Sequence, residues 1–312
     1  MEIGLAGAGP RVEMLAELLT RAGQRAVVWS PEGDVGELEG AQVVDGAQAL
    51  AERARVILVA PAAKEMRVVA QSLGPYIQGY HHLVHTTHHL EPTTGCRGSE
   101  ILRQETVTRQ IGALVGPTEE GGALGQKPGA AVVGSRFPAT VKVVQEALSS
   151  PLFRVYGNMD LVGVELGGAM SNLLSVSIGV ADALEFGPGI RGTLCARGVA
   201  EMGRLGVAFG AKEKTFAGMS GLGYLVSLIT DGERAPHQMG KALALGQSLE
   251  QLEERFGSYV ADLAVSAGEL VSLAEQRGVQ AHILDQVWKM LTAQSTTAEA
   301  LRALLGLGQM ME

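Results

Sequence analysis

Residues 79–92, GYHHLVHTTHHLEP, hold five of the chain's seven histidines: His81, His82, His85, His88 and His89. Imidazoles bind metals and carry protons, so their spacing decides what this segment can do. The run HLVHTT is apolar and β-branched and reads as a strand. A strand advances about 3.3 Å per residue, which sets His82 and His88 roughly 20 Å apart on one face and His81 and His85 roughly 13 Å apart on the other. Those separations argue against a shared metal ion, and we expect no metal site. His85 is expected to be a buried, hydrogen-bonded strand residue, with His81 and His82 preceding the strand near the surface. His88 falls at the strand's carboxyl end, where open α/β sheets bind ligands. Imidazole titrates near neutrality, which makes His88 the candidate acid/base; the alternative is a side chain that only fills space.

A second group lies at the amino terminus. GLAGAGPRVEML puts Gly7 and Gly9, with Ala8 between them and Pro10 after, at the turn from a first apolar strand to a first helix. Glycines there let the backbone approach a dinucleotide's pyrophosphate, and the helix start offers N–H groups and the positive end of its dipole. The third glycine of the G-x-G-x-x-G pattern is Val12, whose branched side chain is expected to resist close packing of helix on strand. Pro10 removes one N–H from the helix start. After the second strand, WSPEGD offers Glu32 and Asp34 as ribose partners and no arginine for a 2′-phosphate, which favours NAD over NADP.

The elements that must position these residues follow from periodicity. EIGLAG, a helix from Pro10 to Ala22, RAVVW, ARVILVAP, a helix from Ala63 to Leu73 and HLVHTT alternate strand and helix. That alternation predicts a doubly wound, mainly parallel sheet with helices on both faces, a Rossmann-type α/β domain. IGALVG, GAAVVG and FRVYG read as further strands, with the helical FPATVKVVQEALSS between the last two. From about Asn158 onward the spacing is helical throughout, so the expected domains are 1–157 and 158–312. Glycine numbers 42, and ELGGAMS and GMSGLGYL suggest helices and turns packed close together. The tail LGLGQMME is expected to fray.

Apolar residues make up 46% and charged residues 19%, enough to bury a sizeable core. A net charge of −8 with no basic run argues against nucleic acid or an anionic membrane as partner. Two cysteines, Cys96 and Cys195, cannot build a disulfide framework or a four-ligand zinc site, which fits a reducing compartment. Glu2 stands where a secretory signal would carry positive charge, and no stretch reads as a span of about 18 apolar residues. A soluble, cytoplasmic protein is expected.

DLVGVELGGAMSNLLSVSIGVADALEFG and ARGVAEMGRLGVAFGAKEKTFAGMSGLGYLVSLIT resemble the bacterial NAD(P)-dependent glycerol-3-phosphate dehydrogenases. The likeness continues through the GAG turn, the VAP ending at Pro61, Gly116–Pro117, FRVYGNMD and LGQSLEQLEE. It implies a Rossmann domain followed by an all-α, 6-phosphogluconate-dehydrogenase-like domain. It also implies a nucleotide, NAD or NADP, at Gly7, Ala8, Gly9, Pro10 and Pro61, a small substrate, and a homodimer. The family pattern G-V-E-L-G-G-A-L-K-N places a lysine at Ser171 and keeps Asn172. A-T-K-G places a second lysine at His88 and keeps Thr87. The aspartate of G-L-G-D-L falls on Tyr224, and Thr230 is retained. S-R-N becomes Arg234, Ala235 and Pro236, so the substrate-phosphate arginine falls on Ala235, with Arg234 one residue away as candidate substrate contact. A glutamate of V-E-G falls on Ala261. Arg197 is expected as an ion-pair partner, and Glu165 and Glu201 in the helical domain's polar packing.

Losing a positioned acid/base costs about 10² to 10⁴ in rate, and losing charge-assisted contacts weakens binding of a dianionic substrate. Three readings follow. The first is a member that keeps a nucleotide cleft but has little or no family activity and serves as a binding or regulatory protein, with a protein partner. The second is an active oxidoreductase acting on a CH–OH group of a less anionic substrate with His88 as proton donor. The third is the family reaction, with His88 and Arg234 as substitutes.

Overall fold

The computed structural model describes residues 1–33, 35, 36, 38, 40–61, 63–92, 94–116, 128–230 and 232–306, with backbone only at 63, 305 and 306. Asp34, Pro117 and residues 307–312 of the tail lie outside the described residues. The chain forms two compact units, Met1–Glu91 with Cys96–Glu165, and Pro92–Gly95 with Leu166–Glu312.

The first unit is an eight-stranded sheet. Its strands are β1 (Glu2–Ala6), β2 (Arg25–Trp29), β3 (Ala41–Val43), β4 (Val56–Val59), β5 (His82–His85), β6 (Ile111–Val115), β7 (Gly129–Ser135) and β8 (Phe153–Asn158). They lie in the order β3-β2-β1-β4-β5-β6-β7-β8. Every pairing is parallel except β6 with β7. The helices are α1 (Pro10–Arg21), α2 (Ala47–Arg53), α3 (Met66–Leu73), α4 (Gly98–Glu105) and α5 (Pro138–Leu148). Strands covered on both faces become continuous apolar runs, and β4, VILV, is buried at every position. The strand order turns back between β1 and β4, which makes that gap the switch point of the sheet. This is the Rossmann-type fold that the alternation predicts. The sequence reading lacked β3 and α2, because β3 is three partly exposed edge residues and α2 is seven residues long.

The first histidines correct the surface expectation. His81 is 1% exposed and His82 8%. His82 opens β5, which is hydrogen-bonded on both sides by β4 and β6. The Nε2 of His81 bonds the Ala51 carbonyl at 3.0 Å, its Nδ1 accepts from the Gln78 N–H at 2.8 Å, and His82 Nδ1 meets Thr140 Oγ1 at 3.0 Å. Elements flanking the sheet thus reach over the start of β5, and burial together with nearby Arg55 and His81 lowers the pKa of His82. Val12 is likewise accommodated: it is fully buried in the apolar cluster that contains Leu5, Leu15, Val28 and Leu58.

The second unit is helical. α6 (Leu161–Ala183) begins in the first unit and is followed by α7 (Gly187–Ala208), α8 (Glu213–Phe216), α9 (Tyr224–Thr230), α10 (Ala235–Ala244), α11 (Leu249–Phe256), α12 (Tyr259–Gln276), α13 (His282–Leu291) and α14 (Thr297–Gly306). Among the described residues, α6 is the one helix long and apolar enough to cross a bilayer, and its most apolar window, of mean hydropathy 1.4, is entirely buried. Gly179 of α6 and Gly240 of α10 let these helices touch backbone to backbone, since a Cβ on either would strike a carbonyl of the other.

Candidate functional site

At the switch point, Gly7 has φ +137°, and a Cβ there would stand 2.5 Å from the Ala60 carbonyl oxygen and 3.0 Å from the Pro61 nitrogen. Only glycine lets the end of β1 lie this close to the loop after β4. The Gly7 N–H donates to the Trp29 carbonyl at 2.9 Å and the Ala60 N–H to the Ala6 carbonyl at 2.8 Å, which ties the carboxyl ends of β1, β2 and β4 together. Gly9 caps α1 at φ +86°, and among the described residues no atom beyond its own chain neighbours lies within 4 Å of where its Cβ would stand. No side chain among the described residues caps α1, so its first N–H groups and the positive end of its dipole border that open space. Pro10 occupies the first helical position, where an N–H is unused in any helix, so its cost is smaller than the sequence reading assigned. This backbone cradle fits a dinucleotide pyrophosphate. Pro61 is buried and Glu32 exposed, the latter's N–H bonded to Ser30 Oγ at 3.3 Å in the loop after β2.

Sequence reasoning missed Arg11. Its guanidinium donates to the Thr86 carbonyl at 3.1 Å and so ties the start of α1 to the end of β5. A cation inside the glycine turn was the available signal. Beyond β5, Thr86, Thr87, His88 and His89 are all buried, and His88 is 1% exposed. The Thr86 N–H continues the ladder to the Val59 carbonyl at 3.0 Å.

His85 is the buried, hydrogen-bonded strand residue expected. Its Nε2 meets Glu165 Oε1 at 2.9 Å, and Glu165 also accepts from the Ser99 N–H at 2.9 Å, Ser99 Oγ at 2.8 Å and Arg97 Nη1 at 3.2 Å. Arg97 pairs in addition with Glu100 at 2.7 Å. Burial pushes the Glu165 carboxyl up, but His85, Arg97 and the Ser99 N–H together hold it below the ordinary carboxylate range. Glu165 therefore belongs to the sheet's unit and not to the helical domain's packing, because the first turn of α6 precedes the division between the units. Glu201 does sit in polar packing of the helical unit, where it accepts the Ile283 and Leu284 N–H groups and caps α13. Arg197 differs from the ion-pair expectation. It donates to the Leu304 carbonyl at 2.7 Å in the last turn of α14, and no carboxylate among the described residues pairs with it.

The second unit brings three of the sequence-predicted positions together. Ser171 and Asn172, on α6, are fully buried, and Tyr224, at the start of α9, is 2% exposed. Ser171 Oγ donates to the Gly221 carbonyl at 3.1 Å, inside a π-helical turn over Met219–Gly223 that leads into α9. Gly167 lets α6 meet this turn, since a Cβ there would stand 2.6 Å from the Ser220 carbonyl oxygen. The Tyr224 hydroxyl lies 3.5 Å from Asn172 Oδ1, and Asn172 Nδ2 is buried with no acceptor among the described residues. Thr230 stands apart, six residues and roughly 9 Å of rise further along α9; it is exposed and its hydroxyl is bonded to the Val226 carbonyl at 2.6 Å. Arg234 is the half-buried N-cap of α10 and Ala235 its first residue. Ala261 presents an exposed methyl on α12. Among the described residues no three His, Cys, Asp or Glu side chains are grouped to hold a metal.

A parallel sheet with a glycine turn at its switch point, followed by an all-helical unit, defines the class: a dinucleotide-fold protein with a helical second domain. Residues 160–302 match the family described as NAD-dependent glycerol-3-phosphate dehydrogenase C-terminus. A glycerol-3-phosphate dehydrogenase (NAD(P)+) from Trichormus variabilis is 35% identical over 302 residues, 96% of this chain and 94% of that one. One from Paracidovorax citrulli is 40% identical over 212 residues, 68% of this chain and 62% of that relative. The crystal structure of glycerol-3-phosphate dehydrogenase (gpsA) from Coxiella burnetii superposes with a TM-score of 0.86 at 27% identity, covering 97% of this chain and 98% of that one. The chain belongs to the NAD(P)-dependent glycerol-3-phosphate dehydrogenase family.

Proposed function

We propose that this chain binds NAD or NADP at the Gly7–Pro10 turn and carries little or no glycerol-3-phosphate dehydrogenase activity, acting as a binding or regulatory member of its family. The sheet's unit, Met1–Glu91 with Cys96–Glu165 and so including the start of α6, serves as the nucleotide domain, and the helical unit as the substrate-type domain. The observation that carries this reading is Ser171. Where the family pattern has a lysine, the chain has a fully buried hydroxyl already donating to the Gly221 carbonyl. It brings neither an ammonium charge nor a proton that can be shared near neutrality. Ala235 has no cation for a substrate phosphate, and Tyr224 offers a phenol to Asn172 in place of a carboxylate.

Bound nicotinamide would supply the carbon that gives or takes a hydride. The chain's own part is to hold the pyrophosphate on the backbone at Gly7, Ala8 and Gly9 and on the start of α1, with Pro61 beside it. Glu32, exposed in the loop after β2, would accept from a ribose hydroxyl, which supports NAD over NADP. The absence of a proton donor at Ser171 costs about 10² to 10⁴ in rate. A missing arginine–phosphate contact costs about 1.5–3 kcal/mol more in substrate binding.

A second reading, an oxidoreductase for a less anionic substrate with His88 as acid/base, is favoured by Asn172, whose buried Nδ2 is a donor left for a ligand oxygen. We place the protein in the cytoplasm, on Cys96 and Cys195, which form no disulfide; we infer a homodimer on family likeness alone, and a protein partner from the binding or regulatory role. Initial rates of NADH and NADPH oxidation with dihydroxyacetone phosphate test the main reading. It predicts no turnover above background, and ordinary enzyme rates would overturn it.

A further inference from the structure

A cavity of about 210 Å³ lies in the first unit, away from the glycine turn. Ile111, which opens β6, and Arg136 and Phe137, which directly follow the antiparallel β7, line it. They mark the end of the sheet opposite the carboxyl ends of β1 and β4, where Gly7 and Pro61 lie. α4 contributes Arg103 in its last turn, Arg109 precedes β6, and Val162 of the first turn of α6 adds an apolar wall.

The charge here is mostly positive: among the described residues four arginines and one acid, Glu100, line the cavity. Arg97, also on the wall, is neutralised by Glu100 and Glu165. Arg103, Arg109 and Arg136 have no carboxylate partner among the described residues, although the chain as a whole carries a net charge of −8. Arg103 also complements the negative end of α4, but Arg109 and Arg136 stand outside helices and serve no such purpose. Three cations from three separate elements line one concavity, and an anion held there would complement all of them. Guanidinium forks match phosphate oxygens in pairs. The floor is apolar at Ile111, Phe137 and Val162, so the occupant must carry carbon as well as charge. At about 210 Å³ the cavity is smaller than typical drug-sized pockets, which suits a small molecule.

We propose that this cavity is a binding site for a small organic phosphate, a phosphate monoester with a short apolar body, separate from the nucleotide turn. The phosphate sits among Arg103, Arg109 and Arg136, and the carbon body lies on Phe137 and Ile111.

The test is calorimetric titration of the full chain with phenyl phosphate, inorganic phosphate and benzoate, each in the presence and absence of saturating NADH. Phenyl phosphate is expected to bind more tightly than either other probe, with NADH present or absent. The double variant R109Q/R136Q, at exposed positions, should weaken it at least about tenfold and leave NADH affinity unchanged. Phe137→Ala should weaken phenyl phosphate but not inorganic phosphate. Binding that NADH displaces, that ignores R109Q/R136Q, or that ranks benzoate with phenyl phosphate would overturn the proposal. The arginine dependence is read without NADH as well, so failure of nucleotide binding would register separately.

Discussion

Replacing Glu165 by glutamine is expected to destabilise the first unit by about 3 kcal/mol at pH 7. Oε1 of Glu165 accepts from His85 and the Ser99 N–H, and Oε2 from Ser99 Oγ and Arg97. Glutamine keeps its one oxygen for the first pair and turns an NH₂ toward Arg97, setting donor against donor. A lost charge-assisted bond is worth about 1.5–3 kcal/mol, and breaking a buried ion pair from one side about 3–5 kcal/mol. Arg97 keeps Glu100, which holds the loss toward the lower end of that range. The pH dependence follows from the depressed carboxyl. A folded-state pKa below the unfolded value means that the native state binds fewer protons. The contribution is therefore full above the unfolded value, about 4.3, and is lost as pH falls through the folded one. Urea unfolding followed by Trp29 fluorescence in a Trp288→Phe background reads the first unit alone, since the chain's two tryptophans lie one in each unit. The gap between wild type and E165Q should hold from pH 7 to about 4.3 and narrow below it. A difference under about 0.5 kcal/mol at pH 7, the size of an ordinary surface substitution, or one that widens as pH falls, would refute the reasoning.

Gly9→Ala is expected to lower NADH affinity more than tenfold by placing a methyl in the open cradle, at a cost of about 1–2 kcal/mol in stability for its positive φ; calorimetry and unfolding read the two effects separately. Gly7→Ala should cost more stability than Gly9→Ala, because its Cβ would also collide with the Ala60 carbonyl. Burial raises the Glu201 carboxyl against the opposing Ile283 and Leu284 N–H groups. Its native state therefore gains stability from the protonated form at low pH and loses it as pH rises through the unfolded and then the folded pKa. Glu201→Gln, which still accepts from both N–H groups, should flatten that decline in an unfolding series, and a steeper decline would contradict it. Any NADH-dependent reduction found in a substrate screen should survive Ser171→Ala and be lost in His88→Gln, measured as kcat; an unchanged rate in the latter removes His88 from the chemistry.

The glycine turn and the strands β1, β2 and β4 were legible because parallel strands covered on both faces are largely apolar runs, and β5 because its Leu83–Val84 core and the threonines after it favour a strand. β3 was hidden because three half-exposed edge residues carry no period. Burial of His81 and His82 could not be read locally, since their partners, Ala51, Gln78 and Thr140, lie on other elements. The same holds for Glu165, whose ligands come from residues 85, 97 and 99, and for Arg197, which reaches Leu304. Ser171, Asn172 and Tyr224 were visible as positions through the family pattern, but the π-helical turn that joins them depends on Gly167 of α6 packing against Ser220. The arginine cavity was invisible, because Arg103, Arg109 and Arg136 are scattered in sequence and meet only where β6 and β7 run antiparallel.

The central claim, nucleotide binding without the family reaction, is tested most directly by following NADH fluorescence during a titration with the protein and then adding dihydroxyacetone phosphate. The account predicts an enhancement that saturates at micromolar protein and stays constant after the addition. No enhancement, or a decay on addition at turnover rates of about 1 s⁻¹ or faster, would contradict it.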